Sequence, residues 1–408
     1  MKNTPTNTLT VLAKLLLIAA VLFITSQLTR AQTTTWSGLG ADQLWSTPAN
    51  WTTSGGSTPP GPTDDVIFPN ASFTTSPDGY DNIVGSTTTI GSLSYLNVSP
   101  NTHTTHINDG QTLTVNGPFS EGVANSTTVV TMSGAGNFKV NNISGNFSVG
   151  GSGGSAETVT LTLADGTNTV AAKTFSLGES ASNNGRTCTL NLGAGPTIIN
   201  ADNINLGTGK ASGTMRWNDP SFTNGIVIRD HTGSGRANLL MGNGTSGSGS
   251  SHGNLYAGGH PFDALVGQAV LSGDSGSDSG TGCSANLVFD NGILDVTSVI
   301  MGRSSSSKTA HATGLLAVGG STNIATLIVN GPSGPGNGSF LISDSTSAAA
   351  STGTLSVSNN GVAQIYTSIL KVRAATNTAT VNVIGGTLNM ENEGNIIGTE
   401  AAPIDNLM

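Results

Sequence analysis

Along most of this chain apolar residues recur at every second position, in short runs that end at glycine. Leu113-Thr114-Val115 stops at Asn116-Gly117, and Val159-Thr160-Leu161-Thr162-Leu163 stops at Asp165-Gly166. A period of two places the aliphatic side chains on one face of a strand and the threonines on the other. Asn-Gly and Asp-Gly supply the positive φ values that tight turns require. Long Leu/Glu/Lys/Ala patterns of helical period are missing. The pattern predicts an all-β chain of short strands.

Two longer motifs recur above this alternation. One is an apolar-x-apolar-Gly strand end, as in Phe147-Ser148-Val149-Gly150, Phe175-Ser176-Leu177-Gly178 and Ile204-Asn205-Leu206-Gly207; further copies end at Gly242, Gly302 and Gly398. The glycines are 28, 29, 35, 60 and 96 residues apart, so the last two intervals are near two and three times the first. The other motif is Gly-x-Leu-x-apolar, starting at Gly292, Gly314, Gly353 and Gly386. Thr297-Ser-Val-Ile-Met-Gly-Arg303 also resembles Thr367-Ser-Ile-Leu-Lys-Val-Arg373. A period near 30 built from two or three short strands predicts a β-solenoid, because one such unit cannot bury its own apolar face and stacked units can. At about 4.8 Å per coil, ten or so coils make a rod about 50 Å long. Gly-rich stretches such as 242–254 and 271–282 then become surface loops.

Composition refines this picture. Charged residues are only 9% of the 408, while 36% are hydrophobic, enough for a core and unlike the charge-rich signature of disorder. Lys2 and Lys14 precede or flank the apolar run Leu15 to Ile24, and Thr29-Arg30-Ala31 offers small residues for cleavage, so 1–31 reads as a secretory signal peptide. The run is shorter than the roughly 20 residues that span a bilayer, and no second apolar run follows, so no membrane-spanning segment is expected after cleavage. Removing Lys2, Lys14 and Arg30 leaves 11 basic against 23 acidic residues, a net of −12. That balance excludes nucleic acid as a partner, since phosphate binding needs clustered Lys and Arg.

The two cysteines test the solenoid. Cys188 is in phase with Leu190 and Leu192, and Cys283 with Ala285, Leu287 and Phe289, so both read as inward-facing. They are 95 residues apart, about three coils, hence about 14 Å along the axis. A disulfide needs Cα atoms within about 7 Å. Two separate buried thiols are expected.

The first part of the mature chain has a different texture. Trp36, Trp45 and Asn50-Trp51 are followed by Pro60-Gly61 and Asp65-x-x-Phe68. This opening resembles the start of bacterial secreted proteins that carry autotransporter-associated β-strand repeats, and the later glycine motifs are similar to the repeats themselves. The resemblance implies a right-handed parallel β-helix at the cell surface, acting as passenger, adhesin or scaffold. Two features depart from it: no region has the roughly ten-residue alternating strands of a membrane β-barrel, and no apolar C-terminal sorting segment is present. Because the chain stops at Asn406-Leu407-Met408 directly after a repeat unit, C-terminal truncation is expected. The expected organisation is a signal peptide over 1–31, a Trp-rich N-terminal capping module over 32–86 and degenerate solenoid repeats over 87–408.

Candidate chemistry is sparse. Parallel β-helices also carry polysaccharide lyases and glycoside hydrolases, and hydrolysis needs two carboxylates about one bond. The close pairs are Asp64/Asp65, which as neighbours in a strand point to opposite faces, Asp274/Asp278 in a Gly/Ser loop, Asp290/Asp295, where Asp290 reads as a turn residue, and Glu391/Glu393, which share a face but sit in the last partial repeat; for each the structural reading is the stronger. Lys371 and Arg373 form the best basic pair and read as the solvated face of a coil. His103 and His106 point to opposite faces of a strand; His252 and His260 lie in or beside a Gly-rich loop. Trp217, before Asn218-Asp219-Pro220, reads as packed near a loop. Trp36, Trp45 and Trp51 are candidates for a sugar-stacking platform, although sealing the first coil is the stronger reading. No metal or other cofactor is expected. The function expected is that of a non-enzymatic extracellular or cell-surface, adhesin-like structural protein with an extended polar face and a polysaccharide or surface ligand. The alternatives are a polysaccharide lyase or glycoside hydrolase, or a Trp-based carbohydrate-binding module.

Overall fold

The computed structural model describes residues 32–73, 75–150, 156–180, 185–244, 250–274, 282–304, 311–331, 338–345, 350–372 and 377–408. The signal peptide expected over 1–31 lies outside them. The described chain is a β-solenoid of about 11 turns, with a 12-stranded and a 19-stranded sheet and a single 3-10 turn, Pro48–Asn50. Apart from the Trp36–Trp51 pairing at the N-terminal end, every ladder among the described strands is parallel. Each coil has three faces. Face 1 is the 12-stranded sheet, running from Asn82–Val84 to Asn406–Leu407. Faces 2 and 3 are the two halves of the larger sheet. In the middle coils one 13-residue strand, such as Asn168–Ser180 or Gly292–Ser304, serves both. Later coils use two separate strands, Ala325–Val329 and Phe340–Ile342.

Alternation along each strand puts every second side chain inside, and parallel registry stacks like on like. On face 1 the inward positions Val130, Leu161, Leu190, Met215, Leu255, Leu287, Leu316, Leu355 and Val381 pair rung to rung, and all are buried. On face 3 Phe119, Phe147 and Phe175 stack, with centroids 5.1 Å apart at both steps. Burying one such side chain is worth about 1.5–3 kcal/mol, but only when the coils above and below cover it. The strands Thr33–Trp36 and Asp65–Phe68 already belong to this system, laddering in parallel with each other and then with Ser92–Tyr95.

Cys188 and Cys283 are both buried thiols. They point inward from Arg186–Leu192 and Cys283–Phe289, three strands apart on face 1, as the repeat length requires. The Gly-rich inserts are shorter than the sequence pattern indicates: strands run on to Gly244 and Asp274 and resume at His252 and Cys283. The remaining parts, 245–249 and 275–281, lie outside the described residues.

The two glycine motifs meet at the corner where face 3 turns into face 1. Gly178, Gly207, Gly242 and Gly302 lie two residues before the ends of the face 3 strands, with φ of 69°, 62°, 57° and 58°, a region costly for side-chain-bearing residues. Gly213, Gly253, Ala285, Gly314 and Gly353 form an inward column on face 1 beside them, glycine at all but one rung. A Cβ on Gly242 would lie 1.9 Å from the Ser284 carbonyl oxygen, and one on Gly253 would lie 2.4 Å from the Gly242 nitrogen. The backbones therefore touch, and each motif leaves room for the other. The 60-residue interval from Gly242 to Gly302 is explained too, whereas Gly398 stands off this column: Ile397 bridges Ile369, so Gly398 falls beside Leu370. Ser272 (φ 65°) and Ser343 (φ 66°) occupy the missing corner positions, following Leu271 and Ile342 as Gly242 follows Met241. One reading needs correction. Gly314 and Gly353 start face 1 strands, whereas Gly292 and Gly386 stand where the chain enters face 2, so Gly-x-Leu-x-apolar is two structural positions with one sequence.

Ser272 carries a positive φ and a buried hydroxyl with no hydrogen-bond partner among the described residues. Ser272→Gly is expected to stabilise the fold by about 1 kcal/mol, the left-handed strain of about 1–2 kcal/mol being partly offset by glycine's unfolded-state entropy. Gly242→Ala is expected to destabilise it. Urea denaturation of both variants checks this; a lower midpoint for Ser272→Gly would refute the corner argument.

Candidate functional site: the outward side of face 1

The side chains that alternate with the Leu column point to solvent and are mostly hydroxyls and amides. One column reads Thr158, Thr187, Ser212, His252, Ser284, Thr313, Thr352 and Thr378. The next reads Thr160, Thr189, Thr214, Asn254, Asn286, Leu315, Thr354 and Thr380. Bonds along the columns order them: Asn286 Nδ2 donates to Asn254 Oδ1 at 2.8 Å, Asn254 Nδ2 to Thr214 Oγ1 at 3.3 Å, and His252 Nδ1 lies 2.7 Å from Ser284 Oγ. A third column holds Thr104, Thr131, Thr162, Asn191 and Arg216. From Thr127 to Asn382, Arg216 is the one Asp, Glu, Lys or Arg at an outward position of the described face 1 strands. The surface is a broad, nearly uncharged array with rungs about 4.8 Å apart.

The tryptophans lie elsewhere. Trp36, Trp45 and Trp51 are 1%, 2% and 5% exposed. Trp51 meets Trp36 edge-on at 4.8 Å and Trp45 at 5.2 Å, and all three surround Phe68, which stacks on Tyr95 of the next coil. Trp45 Nε1 donates to Asn82 Oδ1 at 2.7 Å and Trp51 Nε1 to the Trp45 carbonyl at 2.8 Å. A sugar platform needs exposed ring faces, and these rings face one another at the N-terminal end of the core.

The acidic pairs are held apart by structure. Asp64 accepts bonds from Ser57 and Gly61 within its turn; burial opposes ionisation there, but those bonds hold its carboxyl below the usual range. Asp65 instead accepts from Ser92 on the next coil. Asp290 caps a turn through the Gly259 amide, while Asp295 pairs with Arg236 at 2.8 Å. Glu391 and Glu393 are exposed; Asp278 and the side chain of Asp274 lie outside the described residues, as does Arg373. Lys371 is a correction: it is buried and bonds both oxygens of Asp405 at 2.8 Å. It stands on face 3 two coils beyond Met301, following Leu370 as Met301 follows Ile300, so its stem continues an inward column while its ammonium finds a carboxylate. His103 and His106 do point to opposite sides. His103 is buried between Asp81 (3.2 Å) and the Pro69 carbonyl (3.0 Å), and His106 stacks on Tyr80. Among the described residues no group of three or more His, Cys, Asp and Glu side chains is placed to hold a metal ion.

A buried charge cluster escapes the sequence reading. Glu157 and Arg186 form an ion pair with both side chains 1% exposed, and Arg186 also donates to the Glu179 carbonyl. Glu121, 1% exposed, points into the core from the same inward column as Tyr95 and Val149. Neither of its oxygens has a hydrogen-bond partner among the described residues. Burial, reinforced by the Glu157 charge, pushes its carboxyl well above the ordinary range, and burial likewise raises the Cys188 thiol beside the pair. Two carboxylates of unlike character are what glycoside hydrolysis uses; here the Glu121 residue and the Glu157 side chain are each 1% exposed. A sequence signal exists: Phe119-Ser120-Glu121-Gly122 copies Phe147-Ser148-Val149-Gly150 with glutamate at the inward position.

The pH dependence follows from the raised carboxyl. Below the ordinary glutamate value of 4.5, Glu121 is protonated in both folded and unfolded chains. Above it the unfolded chain ionises while the folded one keeps its proton, so stability falls as pH rises. Glu121→Leu is expected to stabilise the neutral-pH fold by about 1–3 kcal/mol, the cost of an unsatisfied buried polar group, and to flatten that slope. Urea titrations at pH 4, 5.5 and 7 measure it; an unchanged slope would show that Glu121 is ionised in the fold.

Comparison with protein-family models, curated proteins and solved structures finds no match to this chain.

Proposed function

We propose that the protein is a non-enzymatic extracellular or cell-surface structural protein, adhesin-like, that holds a polysaccharide or carbohydrate-bearing surface through face 1. The observation that carries this reading is the uncharged hydroxyl and amide array continued over successive coils. A catalytic cleft would gather carboxylates or bases from neighbouring coils, whereas face 1 offers repeated donors and acceptors of ordinary strength. Each contact is worth only about 0.5–1.5 kcal/mol net. An extended ligand engages many at once, and linked contacts multiply affinity. Placement outside the cell rests on the leader-like sequence over 1–31.

The test is binding and turnover on a broad polysaccharide panel with the mature chain from Gln32 onward. Binding without product release is expected, and it should change little between 50 and 500 mM salt because so little charge is involved. Thr189→Ala and Thr354→Ala should each weaken it by two- to tenfold. Product release abolished by substituting a charged cluster would instead make the protein an enzyme.

A further inference from the structure

We propose that the pocket beside Trp217 on face 1 is a subsite for one neutral pyranose unit of a bound polysaccharide, an inference that rests on the carbohydrate-binding reading of that face. The hydroxyl and amide array is interrupted by Leu315 in one column and, in the next, by a run that starts at Arg216 and continues through Tyr256, Val288 and Ala317. In the column Thr131, Thr162, Asn191, the next rung is Arg216, and the Met215–Leu255 register puts Tyr256 beside it on the following strand. Both are exposed, Tyr256 by 42%. A lone cation and a large exposed ring follow the small polar groups of the preceding rungs, and Val288 comes next.

The surroundings turn these two side chains into a site. Trp217 and His260 stack with centroids 3.8 Å apart and planes within 1°; at 8% and 2% exposure they form a buried floor that props the site from below but offers no free ring face. Burial keeps His260 below the usual histidine range, so the floor is uncharged near neutral pH. Pro220 and Val288 add apolar walls to a cavity of about 250 Å³. That is smaller than the roughly 300–1,000 Å³ of pockets for drug-sized ligands, and it suits a single ring whose chain continues across the open face.

The chemistry matches a sugar. A pyranose shows C–H bonds on its faces and hydroxyls at its rim, and the Tyr256 ring provides a π surface for the former. Arg216 donates through Nε to Asn191 Oδ1 at 3.2 Å, which orients the guanidinium plane. Its two Nη groups have no hydrogen-bond partner among the described residues, leaving a planar fork of donors for adjacent hydroxyl oxygens. Asp290 sets the charge preference: it accepts the Gly259 amide at 2.6 Å, and a Cβ on Gly258 would lie 3.9 Å from its Oδ2. The Asp290 charge offsets that of Arg216, so the site as a whole carries no net charge and favours a neutral unit over a uronic acid.

Calorimetric titration of the mature chain with hexasaccharides of β-glucan, xylan and mannan, and with oligogalacturonate, tests the proposal. Tyr256→Ala and Arg216→Gln, both surface changes checked for folding by circular dichroism, should each lose at least tenfold in affinity for the neutral oligomer that binds. Binding should also shift tryptophan fluorescence through Trp217, and Trp217→Phe should remove that shift. If both pocket variants bind like the wild type while Thr354→Ala weakens binding, the array reading stands and the subsite is wrong. Tighter binding of oligogalacturonate than of every neutral oligomer would overturn the neutral assignment. No binding of any oligomer by the wild type would overturn the carbohydrate reading and the subsite together.

Discussion

The rest of the structure depends on the rung-to-rung stacking of inward side chains at the strand spacing. A parallel ladder leaves each residue facing the residue one coil away, so the choice at one rung constrains the choice at the next. Leu sits on Leu along face 1 and Phe on Phe along face 3. No coil owns its core; it shares one with two neighbours. The same registry that builds the core also sets the outside, because alternation converts an ordered aliphatic column into an ordered hydroxyl column on the opposite side of the strand.

The corner between faces 3 and 1 is the second constraint. There the backbones of successive elements approach closely, and the glycines at 178, 207, 242 and 302, each with a left-handed φ, leave the room that approach needs. The glycines of this corner are thus packing residues at a fixed place. Charge inside the solenoid appears where this scheme is interrupted: Glu157 and Arg186 pair near the coil that holds Cys188, and Lys371 meets Asp405 towards the last coils.

How much of this was legible in the sequence depends on whether a feature repeats. The three-coil separation of Cys188 and Cys283 followed from period and phase alone, because both quantities are averages over many copies. The serine copies at 272 and 343 were hidden, since they break the glycine signature while keeping its conformation. Lys371 was misjudged because a two-residue period says which residues share a face but not which face is inward; the match of 367–373 to 297–303 aligns Lys371 with Met301 and would have decided it. The neighbourhood of Arg216, Tyr256 and His260 was out of reach. It is assembled from adjacent coils, and no short motif records that its members lie together. The Arg236–Asp295 pair, 59 residues apart, is of the same kind.

The three-faced coil also has a mechanical meaning. Because the ladders tie each coil only to its two neighbours, a pull on one chain terminus falls on the end coil rather than being shared across the molecule. The end coil must peel before the next one feels the full force. Each coil released frees about 30 residues, which extend to roughly 100 Å at about 3.4 Å per residue. A rod about 50 Å long can therefore lengthen in discrete steps, each longer than the folded rod itself, while the coils still folded keep their outward array intact.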